Sequence, residues 1–131
     1  MARRRRLNPA LFIKFSTSDG NIVVGDVVAL DSGNDNSVIR ADASDEAKMP
    51  AIGIAKSVSS GSVTVQRDYL YTYASDYNIT VATGDTFWVD PNNPGKITST
   101  LPTTGILQRI GLGKKATKTL LLTIESDTIS V

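Results

Sequence analysis

The chain contains no cysteine and no histidine. The first absence removes disulfides and thiolate chemistry. The second removes the commonest general base, the usual transition-metal ligand and the Ser-His-Asp or Cys-His nucleophile pairs. Glutamate is scarce, with Glu46 and Glu125 alone. No apolar run approaches the roughly 20 residues needed to cross a bilayer. Near the N-terminus, Leu11, Phe12 and Ile13 are hemmed in by Asn8, Pro9 and Lys14, which is too short for a secretory apolar segment. What remains is ordinary for a globular domain: 131 residues, 40% hydrophobic and 21% charged, enough to bury a core.

Helical periodicity is nearly absent. Val, Ile, Thr and Tyr dominate, and Gly, Asn, Asp and Ser punctuate at short intervals. The pattern predicts an all-β fold, a compact barrel-like or sandwich-like domain of short antiparallel strands over 10–131. Strands are expected near 10–16, 22–31, 37–41, 51–58, 62–67, 69–73, 78–82, 85–90, 96–99, 106–112 and 118–125. One helical piece fits, Asp42 to Lys48, capped by Ser44 and stopped by Pro50.

Charge is segregated. Arg3, Arg4, Arg5 and Arg6 are four of the fourteen basic residues; the other ten face thirteen acidic ones, a body at −3. Residues 1–9 therefore read as an extended basic arm on a neutral-to-acidic body. Such an arm can grip phosphates, with a log–log salt slope of about −3 to −4 if all four arginines engage B-DNA. It can equally fork onto carboxylates of an acidic protein surface, or serve only as a solubilising tail.

The chain repeats itself. GDVVALD at 25–31 returns as GDTFWVD at 84–90, an offset of 59. AIGIAKS at 51–57 returns as RIGLGKK at 109–115, an offset of 58. An alternating strand follows each, SVTVQ at 62–66 and TLLLTI at 119–124. The pseudo-repeats span about 22–67 and 81–125. Gly25 and Gly84 each precede an Asp, where glycine's tolerance of positive φ suits a tight turn or bulge. Strand parity places Val28 and Leu30 on one face with Phe87 and Val89 as a shared core. Val27, Ala29, Thr86 and Trp88 fall on the opposite, half-polar face, so Trp88 is covered either by a loop or by a partner.

Four further features bear on chemistry. Asp31, Asn34, Asp35 and Asn36, and later Asp90, Asn92 and Asn93, supply oxygen ligands, but not at EF-hand spacing; Asx turns explain them without metal. GLGKKATK at 111–118 lacks the upstream glycine and the Ser or Thr of a phosphate-binding loop, so Lys114, Lys115 and Lys118 read as a solvated hairpin. No carboxylate pair stands out for acid–base work. These readings predict no enzyme activity, no metal and no cofactor. Tyr69, Tyr71 and Tyr73 are spaced to line one face of a strand. That is a core face or a subunit interface. With Asp68 and Asp76 beside them and only Arg67 basic, they do not read as a nucleic-acid stacking platform.

The order GDVVAL, PAIGIAKS, SGSVTVQ, GDTFWVD, PGKIT, RIGLG, TLLLTI resembles the head-decoration (cement) proteins of tailed bacteriophages over roughly residues 20–125. The resemblance implies a β-rich homotrimer on the outer surface of the virion, clamping neighbouring major capsid proteins and needing no cofactor or membrane. On that reading Arg3–Arg6 with Leu7, Asn8 and Pro9 would reach the capsid, and Tyr69, Tyr71, Tyr73 and Trp88 would build the trimer contact. The basic start departs from the family pattern. A trimeric tail-fibre or collar module and a nucleic-acid-binding β-barrel are the alternatives.

Overall fold

The computed structural model describes residues 11–114, 118–125 and 127–131, leaving the side chain of Asp35 aside. The fold is all-β, as expected. Five strands form a first unit: β1 (Phe12–Ser16), β2 (Val27–Asp31), β3 (Asn34–Arg40), β4 (Ala51–Ser59) and β5 (Ser62–Gln66). Five form a second: β6 (Asp68–Thr72), β7 (Thr86–Val89), β8 (Ile97–Thr98), β10 (Arg109–Gly113) and β11 (Thr119–Thr123). Between β8 and β10, β9 (Ile106–Leu107) pairs with β12 (Ile129–Ser130) as a small separate ribbon.

The two units share one plan. The first runs β1-β5-β4-β2-β3 and closes into a barrel when β3 meets β1 in parallel at Ser16 and Ser37. The second runs β6-β11-β10-β7-β8 and stays open. Register matches as well as order. Val27 opposes Ile54, Val28 opposes Gly53, and a bulge skips Ile52 before Ala29 meets Ala51. Likewise Thr86 opposes Leu112, Phe87 opposes Gly111, and a bulge skips Ile110 before Trp88 meets Arg109.

The Gly-Asp turns are built alike. Asp26 N donates to Val23 O at 3.0 Å, and Asp85 N to Ala82 O at 3.1 Å. Each glycine then bonds the matching strand, Gly25 N to Ala55 O and Gly84 N to Gly113 O, both at 2.9 Å. Both have positive φ, +102° and +84°, as the turn's third position requires. The structural repeat thus starts one strand earlier than 22 and 81: β1 and β6 belong to it.

There are two cores. Val28, Val38, Ala55, Val63 and Val65 fill the barrel, with Ile22. The second core lies between the units, where Val27, Ala29 and Ile54 on the barrel's outside meet Tyr71, Phe87, Val89 and Leu120 on the open sheet's inside. Strand β2 is therefore buried on both faces, which explains two departures from the parity reading. Val27 and Ala29 are fully buried because the second unit covers them, whereas Leu30, at the strand's end beside a bulge, is 46% exposed. Val28, Phe87 and Val89 are buried as expected, but not in one shared core: Val28 lies inside the barrel, Phe87 and Val89 between the units.

Other boundaries moved for local reasons. The predicted strand at 22–31 starts at Val27, since 23–26 forms the turn. Residues 78–82 form no strand; Ile79 and Val81 do pack against the core, so their alternation reflects burial without a neighbouring ladder. The expected strand at 106–112 is broken at Gln108. The helical piece is one 3₁₀ turn, Glu46–Lys48, capped by Asp45, whose carboxylate accepts from Ala47 N at 3.0 Å. Ser44 instead bonds Asp42, Oγ to Oδ1 at 2.6 Å.

Candidate interaction surfaces

The arm residues Arg3, Arg4, Arg5, Arg6, Leu7, Asn8 and Pro9 lie outside the described residues. Their point of attachment is defined. Leu11 N donates to Asp68 Oδ1 at 2.7 Å, and Leu11 O accepts from Arg67 N at 3.1 Å. Leu11, the first described residue, is therefore fixed at the link between β5 and β6, where the two units join.

The tyrosines do not line one exposed face. Tyr71 and Tyr73 are 2% and 3% exposed and belong to the inter-unit core. Their rings meet edge to face at 4.8 Å, and Tyr73 stacks at a tilt on Tyr77 at 4.6 Å. Tyr71 Oη donates to Ala55 O at 3.2 Å, pinning the second unit to the barrel. Burial, with Tyr77 and Asp26 nearby, pushes the Tyr71 phenol up to about 12, and burial drives Tyr73 well above the usual tyrosine range. These two rings are spent inside the chain, with no area left for a trimer contact or for base stacking. Tyr69 differs: its backbone is left-handed (φ +70°) and it is 45% exposed.

Beside this cluster is an open hollow of about 490 Å³, lined by Val23, Val24, Tyr71, Tyr73, Tyr77 and Lys96 among others. Lys96, one of its lining residues, joins the units through an ion pair: its Nζ donates to Asp26 Oδ1 at 2.7 Å. Asp26 is buried in the first Gly-Asp turn and also accepts from Val23 N at 3.0 Å. Burial alone would lower the Lys96 ammonium, but the Asp26 carboxylate outweighs it and holds Lys96 above the usual lysine value. Gly95 must be small here, since a Cβ would sit 3.0 Å from Asp26 Cγ and its φ is +81°.

The outer face of the second sheet carries a partly exposed apolar row. Register sets Leu70, Leu121 and Leu112 directly opposite one another on β6, β11 and β10, with Thr86 completing the row on β7. Trp88 stands in the adjacent row, half-buried between Arg109 and Thr98. Leu70 and Leu121 are 36% and 38% exposed. The charges are marginal: Asp68 is held by Leu11 N, and Arg109 reaches Glu125 at 3.3 Å. Arg109 Nε and Thr123 Oγ1 are buried and have no hydrogen-bond partner among the described residues.

The Asx loops form the turns expected of them. Asp31 Oδ1 accepts from Gly33 N at 3.0 Å, Asn34 Oδ1 from Asn36 N at 3.1 Å, and Asp90 Oδ1 from Asn92 N at 2.8 Å. No cluster of three or more Asp or Glu residues with metal-binding geometry occurs among the described residues. In the lysine loop, Lys115 lies outside the described residues. Lys118 is not simply solvated, because its ammonium donates to Ser75 O at 2.8 Å and to Tyr77 O.

Sequence reasoning missed Gln108. Its buried carboxamide works as a piece of strand: Oε1 accepts from Ala51 N at 2.7 Å, while Nε2 donates to Ala51 O at 2.9 Å and to Glu125 O at 2.7 Å. The signal available was a lone amide within the apolar run ILQRIGLG, where a buried polar group must find partners. Comparison with protein-family models, characterised proteins and solved structures gives no match for this chain.

Proposed function

We propose that the chain is a structural virion protein of the phage head-decoration type, binding the outside of a capsid as a trimer and clamping neighbouring major capsid proteins. The observation that carries this reading is the use of the polar and aromatic groups. Tyr71, the Asp26–Lys96 ion pair and Gln108 are consumed in locking two copies of one β unit together. The partly exposed Leu70 and Leu121 of the second sheet and the basic stretch Arg3–Arg6 are then the features assigned to partners. The order of sequence elements supports the same reading.

Stabilisation would follow from mass action. A ligand that binds only the assembled shell stabilises it by RT ln(1 + [L]/Kd), roughly 2.7 kcal/mol per site at a hundredfold excess over Kd. A trimer adds avidity, because linked modest contacts engage one lattice point together. Arg3–Arg6, with Leu7, Asn8 and Pro9, supply the capsid contact; Tyr69 and Trp88 remain for contact between copies.

The test is co-sedimentation with expanded empty phage heads. Replacing all four arginines with alanine should weaken decoration and leave the protein's own mass in solution unchanged. Decoration that survives intact removes the arm's role. Failure to bind shells at all, with self-assembly preserved, points to a fibre or collar module. Retention on duplex DNA at roughly physiological salt would point to the nucleic-acid reading.

A further inference from the structure

We infer that the hollow beside the tyrosine cluster binds an uncharged carbohydrate chain. The inference goes beyond the capsid reading and uses none of the residues assigned there to the capsid or to contact between copies.

The reason begins with an unexplained hydroxyl. The pairing ladders make Ile13 and Phe15 of the first unit equivalent to Tyr71 and Tyr73 of the second. The second unit thus carries two hydroxyls where its counterpart packs with hydrocarbon alone. Tyr71 uses its own on Ala55 O. Tyr73 does not: its Oη is buried and has no hydrogen-bond partner among the described residues. A buried hydroxyl left unpaired is destabilising, so packing favours the phenylalanine that the first unit has. Tyr73 lines the hollow. A ligand hydroxyl there, able to donate or accept, would supply the missing partner.

The walls narrow the ligand class. The hollow of about 490 Å³ adjoins a second of about 300 Å³, since Tyr77, Asn78 and Lys96 line both. Volumes of this order are usual for small-molecule sites, which favour junctions such as this one between two units. One side is apolar, with Val23 and Val24 exposed and Tyr77 half-buried. Asp76 and Asn78 add short polar groups to the first hollow, and Asp90 and Asn93 to the second. A sugar presents the matching pattern: C–H groups that pack on aliphatic and ring carbon, and neighbouring hydroxyls that bond carboxylates and amides.

The charges exclude other occupants. Around the hollows Lys56, Lys96 and Lys118 balance Asp26, Asp76 and Asp90. An anion finds Lys96 held by Asp26, and Lys118 held by Ser75 O and Tyr77 O. A cation finds the place over the Tyr77 ring taken by Lys96 Nζ, 5.3 Å from its centroid. A peptide finds little main chain to pair with, because Tyr73 N bonds Lys118 O, Tyr77 N bonds Ala74 O and the Lys118 ammonium takes two carbonyls. The same bonds fix the loop, so the site is formed in advance. Two adjoining hollows suit a chain of sugars better than a single ring.

The test is a titration of the full chain, read by NMR of the valine methyls. The probes are neutral hexasaccharides of glucose, mannose, galactose and N-acetylglucosamine, each taken to about 10 mM, where millimolar binding is visible. At least one should bind and shift the methyls of Val23 and Val24. Tyr73→Phe and Asn78→Ala should keep the wild-type circular dichroism and each weaken that binding about tenfold, the worth of one hydrogen bond. Absence of binding across the panel overturns the inference. So does binding that leaves Val23 and Val24 unmoved, or that both folded variants retain in full. Preference for a heparin hexasaccharide or a proline-rich peptide over every neutral sugar overturns it as well. No shells enter the titration, so its result stands apart from the capsid reading.

Discussion

The first unit closes and the second does not, although they share strand order, register, a bulge and a turn. Side-chain volume at equivalent inward positions explains much of the difference. Ile13, Val28 and Val65 in the first unit correspond to Tyr71, Phe87 and Leu120 in the second. The barrel's fully buried lining is small, chiefly valine and alanine, and Phe15 packs against it only partly buried. Tyrosine, phenylalanine and leucine would overfill it, so the second sheet opens and uses the barrel's outer wall as its missing side. The closing strand differs too, with seven residues in β3 against two in β8. Larger side chains on one inner surface thus turn two similar units into an interlocked pair.

The largest expected effect comes from emptying the shared core. Phe87→Ala should cost about 3–5 kcal/mol in denaturant unfolding, because its ring fills the space between the units. Val28→Phe tests the volume argument from the other side. Overfilling the barrel should cost about 1–3 kcal/mol; if the change is neutral, barrel width is not what separates the units.

The two turn glycines give a sharper comparison. Both need positive φ, so alanine at either should cost about 1–2 kcal/mol from backbone strain. At Gly84 a Cβ meets open space, whereas at Gly25 it would lie 2.6 Å from the Tyr77 ring. Gly25→Ala should therefore be the more damaging of the pair in thermal melts. Equal losses would show that the Tyr77 ring yields freely.

A smaller effect concerns pH, and it sets the units apart at opposite ends of the scale. Tyr71, in the second unit, has its pKa raised to about 12. The stability it contributes is intact below the ordinary tyrosine pKa and is lost as pH rises from about 10 towards that value. Asp19, in the first unit, is pushed up by partial burial but lowered overall by N–H groups of Asn21 and Arg40 and by the Arg40 guanidinium. Its contribution is present above the usual aspartate pKa and fades as pH falls below it. Alkaline loss should thus coincide with tyrosinate absorbance and shrink in Tyr71→Phe, the remainder coming from Tyr73 and Tyr77, whose phenols are also raised, while Asp19→Asn should flatten the acid limb alone.

Much of the pairing scheme was legible in the sequence because it rests on local chemistry. GDVVALD and GDTFWVD carry the turn and strand, and the shift in offset from 59 to 58 between motifs is already present in the residue numbers. Parity failed at Val27 and Ala29 because a strand buried on both faces has no polar side to report. It failed at Tyr71 and Tyr73 because a tyrosine strand reads alike whether its rings meet a partner or the same chain. Gln108 escaped because its role depends on Ala51, far away in the chain. The Asp26–Lys96 pair escaped for the same reason. The leucine row could not be read as a row until register aligned three strands.

Closure of the barrel has a consequence for synthesis. All five strands of the first unit precede residue 67, so that unit holds its own core before the second is complete. The second has no such independence, since its large inner side chains need a wall that only the finished barrel provides. The chain is therefore expected to fold vectorially, the earlier half acting as template for the later one. Pulse-labelled amide exchange should protect Val63 and Val65 before Leu120 and Leu122. Simultaneous protection would mean that the halves fold as one.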